Sequence, residues 1–192
     1  MDQSRLNLKR RVIKAGLLLA IGGVGQATAK EGAHVHGLMR MDVAVQAQVL
    51  TVQIEAPLDS LLGFEHAPRT TAQRAAAEAL IKRLNQDTSL VRPAATAFCK
   101  LVKTTVDAAA LKPADTTPVN KAPASKKDSD LHADVDIAYE FNCGQPDKLD
   151  NVALGLFDAF KGLQKVQAQV ATGQGQSKQT LTRAQPVLKL KP

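Results

Sequence analysis

Four histidines (His34, His36, His66 and His132) and two cysteines (Cys99 and Cys143) are the side chains of this 192-residue chain best suited to coordination chemistry. His34 and His36 are two apart, so on an extended segment both imidazoles project from one side. Arg40 and Asp42 share that side, opposite Met39 and Val43. His132 heads a second polar face, with Asp134 and Asp136 beside it. A divalent ion such as zinc takes four N, O or S ligands at about 2 Å, or three plus an open position, and two imidazoles on one side supply half of a four-ligand set. A neighbouring strand bearing His132 and a carboxylate supplies the remainder. The plainer reading of both faces is a solvated strand surface. For His66, which follows Glu65 after an apolar turn, it is a hydrogen bond within the loop.

Other chemistries find less support. The chain has no G-x-S-x-G, no H-E-x-x-H and no glycine-rich phosphate loop. Gly173-Gln-Gly175 is a turn signal, and the paired carboxylates lie in no visible apolar pocket that would raise a pKa for acid–base work. The expectation is therefore a protein that is not an enzyme. A net charge of +7 invites a nucleic-acid reading, but residues 1–29 hold five basic side chains (Arg5, Lys9, Arg10, Arg11, Lys14) against Asp2. Most of the excess charge thus sits at the N-terminus. Aromatic residues make up 3% with no Trp, which disfavours base-stacking platforms.

That N-terminus has the parts of a secretory signal. A cationic stretch, Arg5–Arg11, precedes the apolar run Ala15–Gly25, and Ala27-Thr-Ala29 offers a small-residue cleavage site. The run is too short to span a bilayer stably. Residues 1–29 are expected to be removed, leaving Lys30 first in an exported chain with no stable membrane insertion. Export into an oxidising compartment favours a Cys99–Cys143 disulfide over a metal or redox pair, which would show C-x-x-C spacing.

The elements that must position these residues follow from periodicity. Alternation marks strands over Leu38–Val45, Leu50–Glu55, Leu131–Cys143 and Gln164–Ala171, Phe98–Val106 reads as a further strand containing Cys99, and Val187–Leu190 closes the chain. The Gln46-Ala-Gln48 link suits a tight hairpin between the first two. Leu58–Phe64 reads as an apolar turn or short helix. Thr70 with Gln73 forms a capping box for a helix over Thr71–Gln86. A second helix is expected over Asp150–Leu163, from Val152, Leu156, Phe160 and Leu163. Lys112–Asp130, rich in Pro, Ala, Lys and Ser, reads as a flexible loop. The fold class is α+β: a largely antiparallel sheet with two main helices and one Pro/Lys-rich loop, forming a single domain over 30–192.

Several of these stretches together resemble the ZrgA family of periplasmic proteins associated with zinc acquisition. They are His34-Val-His-Gly37, the strand Leu38–Val45, the segment Ala56-Pro-Leu-Asp-Ser-Leu-Leu-Gly-Phe-Glu-His-Ala-Pro68, and the His132…Tyr139-x-Phe-x-Cys143 strand. Leu156-Phe157 and Gly173-Gln-Gly175 extend the likeness to nearly the whole mature chain. The resemblance implies a zinc-binding protein that assists an uptake system, with a periplasmic or inner-membrane zinc transporter as partner. Family members carry a histidine- and acid-rich tract where this chain has Lys112–Asp130, which contains no histidine. Lysine cannot replace imidazole as a ligand at neutral pH. Binding must then rest on the folded body and about one ion. His34 and His36 are the expected primary ligands, His132 the third, and Asp134 or His66 further candidates. The rival expectation is a metal-free module contacting an envelope partner through Leu58–Pro68.

Overall fold

The computed structural model describes residues 35–111 and 134–191. The expected signal peptide, His34, His132 and the loop 112–130 lie outside the described residues. Strands β1 (Leu38–Gln46) and β2 (Val49–Pro57) form an antiparallel hairpin closed by Ala47 and Gln48, Ala47 sitting at φ 52° in the left-handed region that such turns use. Helices α1 (Leu58–Leu62) and α2 (Thr71–Gln86) follow, and then β3 (Val91–Pro93) and β4 (Cys99–Asp107). After the undescribed stretch come β5 (Asp134–Cys143), β6 (Asn151–Leu154), α3 (Leu156–Ala159), β7 (Lys165–Thr172), β8 (Gly175–Thr182) and β9 (Val187–Lys189).

Six strands make one sheet in the order β4-β5-β2-β1-β7-β8, antiparallel throughout except for the parallel β1–β7 pair. A second, antiparallel sheet has the order β3-β6-β9. The α+β class with a largely antiparallel sheet is thus the observed one. Alternation sorts the faces of the large sheet: Met39, Met41 and Val43, Leu50, Val52 and Ile54, Val135, Ile137, Tyr139 and Phe141, and Val166, Ala168 and Val170 are all buried on one side. Leu80 and Leu84 of α2, Leu156 and Phe157 of α3, and Val91, Val152, Leu154 and Leu188 of the small sheet complete the same core.

Helix α2 spans Thr71–Gln86 as the capping box predicts, the Thr70 hydroxyl accepting from Gln73 N while Gln73 Oε1 accepts from Thr70 N. Tyr139 Oη donates to the Leu84 carbonyl at 2.9 Å, tying the last turn of α2 to β5. Cys99 and Cys143 face each other across β4 and β5 and are joined by a disulfide. Among the described residues, no helix is long and apolar enough to cross a membrane.

One expected element is different. The helix anticipated over Asp150–Leu163 is replaced by β6 and the four-residue α3. Val152 and Leu154 bury with period two between β3 and β9, and Gly155 N donates to Leu90 O at 3.0 Å. Long-range pairing there overrides a spacing that fits either period. Strand β8 was not anticipated at all, because Gly175–Thr182 is polar and only Leu181 is buried.

Candidate metal site

The hairpin dictates what meets at its open end. Its register pairs Gln46 with Val49 and Arg40 with Glu55, and carried outward the same register sets residue 36 opposite residue 59. The chain delivers that meeting. His36 lies in a turn before β1, not on an extended strand, and Leu38 N donates to Val35 O at 3.0 Å. Gly37 has φ +77°, so the His34/His36 strand-face argument does not carry to His36. Asp59 sits in the first turn of α1, which starts directly after β2 ends at Pro57. The helix stops at Gly63 (φ 78°), and the chain turns so that Glu65 comes back over the same spot.

His36 Nδ1 contacts Asp59 Oδ2 and stands 3.4 Å from Glu65 Oε1. One donor atom from each of the three residues lies within 4.8 Å of the other two, the one such convergence of three metal-binding side chains among the described residues. The His36 side chain is 74% exposed, Glu65 35% and Asp59 17%, so the cluster opens to solvent on the imidazole side. The hydrogen bond His36 donates to Asp59, then the charges of Asp59 and Glu65, raise the His36 pKa above its ordinary value. Proton and metal favour the same negative pocket.

The cluster is held from beneath. Gly37 N donates to Ser60 Oγ at 3.0 Å, and Ser60 Oγ donates to Asp59 Oδ1 at 3.2 Å. Gly37 O accepts from both Gln164 N (2.8 Å) and Lys165 N (2.9 Å), which fastens the turn to the start of β7.

Of the other candidates, His66 and Asp134 are described and neither belongs to this group of three. His66 donates from Nδ1 to the Ala67 carbonyl at 2.9 Å and its ring stacks on Phe64 with centroids 5.2 Å apart. Asp134 opens β5, in register with Pro57, one residue from the start of α1. Of the expected ligand set the described structure brings only His36 into the cluster, and adds Asp59 and Glu65. Asp59 was legible in principle, since a two-residue hairpin turn fixes the register that faces it toward His36. Glu65 depends on the left-handed turn at Gly63, and no spacing rule gives that.

One imidazole nitrogen and two carboxylate oxygens are the donor types that zinc accepts in sites of three protein ligands, where the fourth position stays open. With His36 neutral the three side chains carry two negative charges against the ion's two positive ones. No curated protein matches the chain. The model of the ZrgA family zinc uptake protein matches residues 33–190, spanning the hairpin, the cluster and both sheets. The chain belongs to the ZrgA family of zinc uptake proteins.

Proposed function

We propose that this is an exported, non-enzymatic protein that binds about one zinc ion as cargo in the periplasm and sequesters it or passes it to an uptake transporter. The observation that carries the reading is the convergence of His36, Asp59 and Glu65 on one exposed spot. Family membership supports the identity of the ion. The signal-like N-terminus supports export, and the Cys99–Cys143 bridge fits an oxidising compartment. His34, two residues before His36, and His132, two residues before Asp134, remain proposed further ligands.

Isothermal titration with zinc tests it. The wild-type chain takes up about one ion, and the His36→Ala and Asp59→Ala/Glu65→Ala variants bind at least tenfold more weakly. A His34/His36 double alanine variant that falls below His36→Ala alone assigns His34 a share. Unchanged uptake by the Asp59/Glu65 variant would move the ion elsewhere. No uptake by the wild type would leave Leu58–Pro68 as a metal-free contact surface, its signature being loss of partner capture on changing Phe64.

A further inference from the structure

We propose that Ser60 is a positioning residue for the zinc cargo, an inference that rests on the metal-site reading above. Ser60 is the one buried polar or charged residue among the described residues, at 2% exposure. A serine hydroxyl carries a single proton and two lone pairs. The Gly37 N–H can only donate, so it occupies a lone pair of Ser60 Oγ. That leaves the hydroxyl proton for Asp59 Oδ1, and the contact to His36 falls to Oδ2. One buried hydroxyl therefore touches both sides of the cluster: it satisfies the Gly37 N–H of the turn, and it orients the carboxylate so that one oxygen faces the cargo. Backbone ties from Gln164 and Lys165 keep the turn from following if Ser60 is lost. Removing the hydroxyl frees the Asp59 carboxylate to rotate and strands a buried Gly37 N–H. Partners standing behind a metal ligand in this way are typically worth about 10–100-fold in affinity.

The test is a double-mutant cycle on the full chain, with zinc affinity read by competition against a chromophoric chelator. Ser60→Ala is expected to weaken zinc binding about 10–100-fold in the wild-type background. In an Asp59→Ala background the same change is expected to cost less than about threefold, because the carboxylate it acts through is gone. Ser60→Thr keeps the hydroxyl and is expected to restore binding to within about threefold of wild type. Equal losses in both backgrounds would mean a merely structural role and overturn the proposal, as would unchanged binding by Ser60→Ala. Should Ser60→Ala fail to fold, the threonine variant decides: binding as weak as that of Asp59→Ala overturns the proposal. Failure of the parent reading looks different. There the wild type takes up no zinc, or Asp59→Ala binds it as tightly as the wild type.

Discussion

Two glycines with nearly the same backbone angle make a controlled experiment on the site's foundation. Gly37 (φ +77°) and Gly63 (φ +78°) both occupy the left-handed region, so replacing either with alanine incurs a conformational cost of about 1–2 kcal/mol. The stiffer unfolded chain offsets about 0.4–1 kcal/mol of that. At Gly63 nothing lies within 4 Å of the added Cβ, and the net loss is about 1 kcal/mol or less. At Gly37 the Cβ would meet Gln164 Cγ at 2.9 Å and the Gly162 carbonyl oxygen at 3.0 Å. The glutamine can swing away, but the carbonyl belongs to the backbone beside β7. Overpacking of this kind adds about 1–3 kcal/mol, for a total of about 2–3 kcal/mol. At this chain length each kcal/mol moves Tm by about 2–4 °C, so Gly37→Ala should melt roughly 5–10 °C lower and Gly63→Ala at most about 4 °C lower. Calorimetry and denaturant unfolding with a chelator present keep metal linkage out of the comparison. Because Gly37 adjoins His36, its alanine variant should also bind zinc at least tenfold more weakly. Equal destabilisation by the two variants, or a Gly37→Ala protein as stable as wild type, would refute the claim that close packing fixes the turn.

Further outcomes follow from the titrating groups. Burial pushes the Tyr139 hydroxyl up to about 12, so the folded state holds a proton that the unfolded chain releases near pH 10, and stability falls as pH rises between the two. Tyr139→Phe should cost about 1–3 kcal/mol at pH 7, by stranding the Leu84 carbonyl, and the gap should narrow above pH 10; a gap independent of pH would contradict the burial. Zinc needs the neutral imidazole, and His36 titrates above its ordinary value through Asp59 and Glu65. Affinity measured by competition should therefore fall about tenfold per pH unit below an inflection lying above 6.5, and a flat profile would remove His36 from the ligands. Asp136 is raised by burial and by Glu55 and Asp107, its register partners on either side. Its charge therefore opposes folding above the raised pKa, and the penalty disappears as pH falls through it. Asp136→Asn should gain up to about 0.5 kcal/mol at pH 7 and nothing in acid, as denaturation midpoints will show.

Local rules carried most of the architecture. Period-two alternation is strict where one face is core and the other solvent, so β1, β2, β5 and β7 were legible. The Thr70/Gln73 box marked the start of α2 for the same reason: its chemistry is local. Failure came where the deciding contact is distant. Val152 and Leu154 are strand residues because β3 and β9 flank them, and β8 exists because β7 offers it a pairing edge. The site divides likewise. His36 was visible as a residue type, and Asp59 was implied by the hairpin register. The route of the chain from α1 to Glu65 was not, because it turns on one backbone angle at Gly63.

The disulfide has a consequence for the cargo. Strand β2 runs nine residues, about 26 Å, from the Cys143 end of the sheet to the Pro57 end, so the bridged sulfurs and His36 lie at opposite ends of it. No free cysteine exists in the chain. Thiolates are the softest zinc ligands a protein can offer, and here both are consumed by the disulfide, away from the His36 cluster. What remains is nitrogen and oxygen on an exposed rim. In the proposed role, an acceptor approaching from solvent competes with those donors alone, and no thiolate of this chain can recapture what it removes.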